Sequence, residues 1–322
     1  MEKKLPLKSW ISSLTAQRNK SREIPAAHIT MFIYLLTLLG LALSRGLGSL
    51  VILYVGLMAL LFLAVYLERF PFRSLLNFLG KIFLISLISL EIFSSQQALI
   101  PHINPTLYDQ ALMSLDIQLF GYNPVLWVAE NLNNPWLTEW LQLSYVSYFF
   151  FVYLVVVISY TKEVDPEVNF AVFSIIFCFL LSYAGYFIIP AYGPRDVVDE
   201  PALRHLLYLT YPENLPSFGL APHLRELLNN LERLKINAFP SGHTALTLLA
   251  LRHFFRFSKK LFFYLLPLGL SIIAATIYCR YHYVMDLIGG VALFLFVCLI
   301  DRRVFAWHRA LSAQITPWFR KF

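Results

Sequence analysis

A histidine and an aspartate stand four residues apart in CRYHYVMDLIGG (279–290), a spacing that places His282 and Asp286 on one face of a helix. A carboxylate that accepts from one imidazole nitrogen leaves the other nitrogen free and more basic, as a nucleophile requires. Asp286 also lies in an apolar segment, where ionisable residues usually have a function. Arg280 could neutralise an anion nearby. The alternative interpretation is a buried His–Asp packing pair.

A second polar cluster stands where an apolar helix is predicted to begin, in AFPSGHTALTLLAL (238–251). Pro240 suits the first turn of a helix because its missing N–H would have no partner there. Ser241, Gly242 and His243 would then present N–H groups at the positive end of the helix dipole, which is a phosphate site. Gly242 would let a ligand approach the backbone, and His243 adds a proton donor. The alternative is a helix cap with an incidental histidine.

The third stretch is PAYGPRD (190–196), in which a turn precedes Arg195. A guanidinium can fork onto phosphate oxygens, although this stretch alone favours a plain interfacial arginine. The three stretches together predict one phosphoryl-transfer site. Arginines and N–H groups would hold a phosphoryl group, one histidine would attack it, and the other would protonate the leaving oxygen.

The elements that must position these residues are membrane helices. The 322 residues are 58% hydrophobic and 14% charged, with a mean hydropathy of +0.62, whereas soluble domains carry about 25% charged residues. The three cysteines lie in apolar runs, which excludes a disulfide framework. The predicted class is an all-α, polytopic membrane helical bundle. Eight apolar runs are long enough to be predicted as spans: 29–44, 49–67, 79–99, 135–160, 168–190, 241–257, 260–279 and 282–300.

Basic residues orient these spans. Most of the 26 Lys and Arg residues fall on one side when both termini are cytoplasmic. The net charge of +7 follows from this bias and does not indicate nucleic acid. Two loops, 101–134 and 191–240, then lie outside with all three polar stretches. The predicted organisation is a cytoplasmic segment, two additional spans, a six-span catalytic core and a cytoplasmic tail, at 1–28, 29–78, 79–300 and 301–322.

Both outer loops contain an amphipathic pattern. Residues 107–120 and 222–235 are predicted to form interfacial helices, each with a leucine stripe. Arg225 and Arg233, on the polar face of the second, could draw an anionic headgroup towards the site and so select substrate. Glu91, in the middle of the third span, is a further candidate for contact with substrate.

The motifs resemble those of a known family. PSGH (240–243) followed by HYVMD (282–286) resembles the second and third signature motifs of the type 2 phosphatidic acid phosphatase superfamily. LDIQLFGYNP (115–124) and HYVMDLIGG (282–290) look most like the branch of inositol phosphorylceramide synthases and sphingomyelin synthases. The first motif of the superfamily differs here, because the order at 194–195 is Pro-Arg.

The resemblance implies a phosphohistidine mechanism without metal or cofactor. His282 matches the nucleophile, Asp286 its orienting partner, and His243 the general acid. The expected substrate is a membrane phospholipid, and the phosphoryl acceptor is either water or a lipid alcohol.

Two other function classes stay open on the residues alone. A metal-dependent hydrolase could use His243, His282 and Asp286 as ligands, although the arginines would repel a cation. A lipid or anion transporter could use the arginines as its binding site, with Glu91 as the best feature in its favour. Chelator-insensitive activity would eliminate the first, and turnover in detergent would eliminate the second.

Overall fold

A computed structural model describes residues 24–67, 75–132, 134–161, 166–199, 215–231 and 234–319. Within these ranges the chain forms twelve helices and no strand, so the predicted all-α class is confirmed. We number the helices in chain order: α1 Ala26–Ser44, α2 Gly48–Leu67, α3 Leu75–Ile103, α4 Asp109–Phe120, α5 Pro124–Asn131, α6 Pro135–Thr161, α7 Pro166–Ile188, α8 Pro194–Asp199, α9 Leu220–Leu231, α10 Gly242–Phe257, α11 Lys259–Tyr278 and α12 Val284–Phe319.

Seven helices in the described ranges are long and apolar enough to cross a membrane, which confirms a multi-pass membrane protein. The prediction was eight spans, and α10 accounts for the difference. It has 16 residues and is therefore about 24 Å long, shorter than a typical hydrocarbon core. Most of its residues are buried within the protein. The predicted sixth span therefore corresponds to a short helix that is buried among other helices and carries polar residues at its start.

The last helix continues well beyond its predicted end at residue 300. α12 comprises 36 residues, so most of the predicted tail 301–322 is helical up to Phe319. The sequence after Asp301 keeps apolar residues among its arginines, and Val304 and Phe305 pack against buried side chains.

The chain divides into two compact units. The first lies within Met1–Phe93, Val157–Phe177 and Ile300–Phe322. Its packing includes a cluster in which Ala26, Phe170 and Phe173 are buried. The Ser312 hydroxyl donates to the Ile24 carbonyl at 2.9 Å.

The second unit comprises Ser94–Val156 and Cys178–Leu299, and it contains all three polar stretches identified in the sequence. Its buried clusters join residues from several helices with the chain around Tyr281 and Tyr283. Every contact described below for the candidate site lies within this unit.

The two amphipathic patterns do form helices, and α4 buries two carboxylates within the protein together with part of its apolar stripe. Its buried residues are Asp109, Leu112, Met113 and Asp116. Leu115 and Leu119 of the predicted apolar stripe are 43% and 58% exposed. In a membrane protein, leucine side chains can face lipid while polar groups find partners inside, which inverts the rule for soluble helices.

The second pattern forms α9, which begins at Leu220 and ends at Leu231. The helix was predicted to end at residue 235, but Leu234 and Lys235 lie in irregular structure. Leu228 of this helix is buried, whereas Leu227 is half-exposed.

Helix α5 was not predicted. Asn123 caps it, with its side-chain oxygen accepting from the Leu126 N–H at 3.1 Å, and Pro124 occupies the first helical position. An Asn-Pro pair of this kind is a start signal that the sequence does contain.

Candidate active site

His282 and Asp286 form a buried pair at the start of α12. The Nδ1 atom of His282 lies 3.2 Å from an Asp286 carboxylate oxygen, and the same oxygen accepts from the Tyr283 N–H at 2.8 Å. Both side chains are buried. A ring held by a carboxylate at Nδ1 keeps Nε2 as its reactive nitrogen. The predicted pairing is therefore present, and it fixes the orientation of the imidazole.

The second histidine lies opposite the first. The rings of His243 and His282 have centroids 5.7 Å apart and meet at 63°. Ser241 caps α10, its hydroxyl accepting from the Thr244 N–H at 3.2 Å. The Ser241 N–H donates to the Asp286 carbonyl at 3.0 Å. This backbone bond joins the starts of α10 and α12, so the two histidines are held near each other by main chain.

Stacked rings connect His243 to Arg195. Tyr145 of α6 stacks on His243 at 4.5 Å and on Tyr281 at 3.7 Å, the latter pair within 5° of parallel. The Arg195 guanidinium lies 4.3 Å from the centroid of the Tyr281 ring. Tyr148, three residues after Tyr145 and so on the same helix face, contacts His243 at 4.2 Å. We call Arg195, Tyr281, Tyr145 and His243 the ring column.

The ring column restricts the positions of the two side chains at its ends, Arg195 and His243. Aromatic stacking contributes about 0.5–1.5 kcal/mol per pair, and a desolvated cation over a ring about 2 kcal/mol. Rings have few rotamers, so each layer restricts the next one.

The two predicted arginines are both almost fully buried. The Arg195 N–H donates to the Arg280 carbonyl at 2.7 Å, and the Arg195 guanidinium donates to the side-chain oxygen of Asn229 on α9. Arg280 has a positive φ of 64°, which non-glycine residues seldom adopt. The chain therefore turns sharply just before His282.

Gly193 permits the turn that carries Arg195. Its φ is +88°, and a Cβ at this position would lie 2.3 Å from the Tyr281 carbonyl oxygen. Any other residue would both strain the backbone and push the 192–195 segment away from Tyr281.

The predicted phosphate cradle at the start of α10 is smaller than expected. The Ser241 N–H is already bonded to Asp286, which leaves Gly242 and His243, whose N–H groups have no intrahelical acceptor. Gly242 also permits close packing of α7. A Cβ there would meet the Ser182 hydroxyl at 2.9 Å and the Tyr186 hydroxyl at 3.3 Å.

Comparison with known proteins identifies the family of the chain. The family model described as the PAP2 superfamily matches residues 110–300, more than half of the chain. The chain belongs to the PAP2 superfamily. It is also 27% identical over 180 residues to a PA-phosphatase related-family protein of Dictyostelium discoideum. That match covers 51% of this chain and 31% of the relative, so the chain spans about a third of its length. No solved structure matches the chain.

Most predicted site residues fall inside the PAP2 match and converge. His243, His282, Asp286, Arg195 and Arg280 come together in the second unit, with Ser241 and Gly242 at the start of α10. The Arg225 carbonyl lies 3.5 Å from the Arg195 guanidinium nitrogen.

Two predicted substrate-selecting residues are not among the residues of the second unit that the structure describes. Glu91 is half-buried in α3 and belongs to the first unit. Arg233 lies outside the described residues. Among the residues that the structure describes, no group of three or more His, Cys, Asp or Glu side chains could hold a metal ion.

Sequence reasoning missed two carboxylates of this candidate site. Asp116 accepts from the N–H groups of Val284 and Met285, each at 2.8 Å, and thereby caps the start of α12. Asp109 accepts from the Gly193 N–H at 2.9 Å and from the Tyr283 hydroxyl at 3.1 Å. The available signal was their spacing of seven, which puts both on one helix face.

Both carboxyls have raised pKa values. Burial raises the pKa of Asp109 to about 6 although hydrogen bonds from Gly193, Tyr192 and Tyr283 lower it. Burial likewise raises the pKa of Asp116 to about 6, against the N–H groups of Val284 and Met285. The Asp286 charge raises both further.

The first prediction concerns the stability of Asp116→Asn. The folded pKa of about 6 exceeds the ordinary value of 3.8, so the folded wild-type binds more protons between these values, and its unfolding free energy falls as pH rises through that window. The asparagine variant lacks this pH-dependent contribution to the free energy of unfolding. The amount by which the melting temperature of Asp116→Asn falls below that of the wild type should therefore decrease as the pH rises from about 4.5 to about 7. A deficit that widens towards neutral pH would show that the cap outweighs burial.

The second prediction concerns the ring column. Tyr145→Phe keeps the ring and should retain most activity, whereas Tyr145→Leu frees both His243 and Tyr281. Misplacement of a catalytic group by about 1 Å can cost on the order of 100-fold, so we expect kcat to fall at least tenfold.

Tyr153→Leu is the matched control, because Tyr153 lies on the same helix and is 38% exposed. Equal activities for Tyr145→Leu and Tyr153→Leu, in proteins of matched melting temperature, would show that the column does not position the site.

Proposed function

We propose that this protein is a membrane-embedded lipid phosphoesterase that works through a phosphohistidine at His282. The observation that carries the proposal is the buried His282–Asp286 pair with the ring of His243 5.7 Å away. Membership of the PAP2 superfamily and the printed name of the Dictyostelium discoideum relative support the same reaction class.

The first half-reaction breaks the ester bond. The Nε2 lone pair of His282 attacks phosphorus, the bond from phosphorus to the leaving oxygen breaks, and His243 donates a proton to that oxygen. Asp286 holds the Nδ1 proton and stabilises the positive charge that develops on the ring. The products are a phosphorylated His282 and a lipid alcohol.

The second half-reaction runs in the opposite sense. The neutral His243 takes a proton from an incoming hydroxyl, whose oxygen attacks phosphorus while the N–P bond breaks. Both halves are balanced without a metal or a redox step, and we propose a metal-independent reaction that needs no cofactor.

The phosphoryl oxygens carry negative charge throughout. Arg195 and Arg280 are the proposed counter-charges, together with the N–H groups of Gly242 and His243 at the positive end of α10. Their burial strengthens these interactions because little water screens them.

Hydrolysis and transfer differ only in the second hydroxyl. The LDIQLFGYNP and HYVMDLIGG motifs favour transfer of a phosphate-bearing headgroup to a lipid alcohol, as in the inositol phosphorylceramide synthase-like branch. A lipid phosphatase would use water instead. The proposed substrate in both cases is a membrane phospholipid.

We also propose that the site faces the non-cytoplasmic side, periplasmic or luminal, with both termini cytoplasmic. The excess of Lys and Arg in the opposite loops supports this orientation.

The third prediction tests the nucleophile. Purified protein is incubated with a panel of phospholipids, with and without ceramide or another lipid alcohol, and every phosphorus-containing product is identified. His282→Ala should abolish all turnover and all covalent phosphorylation, whereas Asp286→Asn should be severe but leakier, because it disturbs only the orientation and charge of the ring.

The control is a melting curve for each variant, since a buried pair also contributes to packing. Turnover well above background in a folded His282→Ala protein would exclude His282 as the nucleophile. Activity that a chelator abolishes would favour a metal-dependent hydrolase, and transport without turnover in detergent would favour a carrier.

The fourth prediction tests orientation. Glu130 in α5 and Ala310 in α12 are both exposed, and the native cysteines are buried or half-buried, so background labelling is low. An impermeant thiol reagent added to intact cells should label Glu130→Cys. Ala310→Cys should react only after permeabilisation. The reverse pattern would invert the proposed topology.

A further inference from the structure

Helix α9 contacts one of the groups that the proposed site needs to bind phosphate, the guanidinium of Arg195. The Arg195 guanidinium donates to the side-chain oxygen of Asn229, and the Arg225 carbonyl lies 3.5 Å from the same nitrogen. A carbonyl oxygen offered to a guanidinium takes the place that a phosphate oxygen would take. Asn229 thus stands as a competitor for the group that would recognise the substrate.

The chain that carries Asn229 is anchored on both sides. Before α9, one carboxylate oxygen of Glu139 accepts from the N–H groups of Phe218 and Gly219, at 2.8 and 3.1 Å. After α9, the Lys235 N–H donates to the Gln97 side chain at 2.8 Å. These anchors keep Asn229 close to Arg195 at high effective concentration.

The two faces of α9 have different surroundings. Leu228 packs in the buried cluster that contains Tyr145, Tyr278 and Tyr281, and so against the ring column. Glu226 and Asn230 are exposed on the other face. The helix therefore covers the column, with Asn229 next to the buried residue.

We propose that Asn229 is a specificity-determining residue that holds Arg195 until an anionic phosphate ester displaces it. This inference rests on the proposed function. A neutral amide oxygen forms a weaker bond to a guanidinium than a phosphate, which can form two charge-assisted bonds. Lipids with a negatively charged phosphate ester displace Asn229, whereas neutral lipids of similar shape do not. Specificity then arises from what the substrate must replace as well as from what it contacts.

The test compares Asn229→Ala, Asn229→Asp and the wild-type protein, with Asn230→Asp as the matched control on the exposed face. Titration calorimetry with inorganic phosphate measures occupancy without turnover, and steady-state kinetics on a phospholipid in mixed micelles measures kcat and KM. Because the contact that is changed is a hydrogen bond to a charged group, the effects should be on the order of tenfold or more.

Removal of the competitor in Asn229→Ala should tighten phosphate binding and lower KM, with kcat little changed. Asn229→Asp places a carboxylate on Arg195 and should weaken phosphate binding and raise KM on the order of tenfold or more. Asn230→Asp, which adds the same charge one residue away, should resemble the wild type in both assays.

Two results would overturn the inference while leaving the proposed function intact. If Asn229→Ala loses kcat at constant KM, Asn229 stays bonded during turnover and only positions Arg195. If Asn229→Asp and Asn230→Asp weaken phosphate binding equally, the cause is repulsion of phosphate by the added negative charge and not competition for Arg195. A wild-type protein that neither binds inorganic phosphate nor cleaves phospholipid would overturn the proposed function, and this inference with it.

Discussion

The position of α12 depends on one carboxylate. Asp116 receives the first N–H groups of this helix, from Val284 and Met285, in a setting where water cannot replace it. A helix start that is buried without such an acceptor leaves several N–H groups unpaired, at a cost of about 1–3 kcal/mol each. The carboxylate thereby decides where the helix begins, and the beginning is where His282 and Asp286 lie.

From that helix start, the rest of the site follows through short-range contacts. Asp286 turns His282 with its side chain and holds Ser241 with its carbonyl, so the same residue sets the ring and the start of α10. His243 is then confined between Tyr145 and Tyr148. A displacement at the start of α12 would therefore be felt by both histidines, because close-packed interiors transmit strain.

The sequence predicts what local spacing determines and misses what tertiary packing determines. The spacing of four residues predicts the His282–Asp286 pair, and the capping residue Ser241 predicts the start of α10. The burial of Asp116 is not predicted in this way, since a stripe of leucines normally marks the inward face and here part of it points outward. The bond from Arg195 to Asn229 joins residues 34 positions apart, and no periodic pattern encodes it.

Helix α4 connects two segments of the candidate site, the turn at Gly193 and the start of α12. Asp109 holds the turn at Gly193, which leads into Arg195, while Asp116 holds the start of α12. Seven residues of helix span about 10.5 Å, and a helix is stiff along its axis. The segments that carry Arg195, which we propose holds the phosphate, and His282, which we propose attacks it, are thus anchored to two points of one helix. Burial and the charge of Asp286 both disfavour the ionised forms of these two carboxyls, so their hydrogen bonds to the turn at Gly193 and to the start of α12 are formed at an energetic cost.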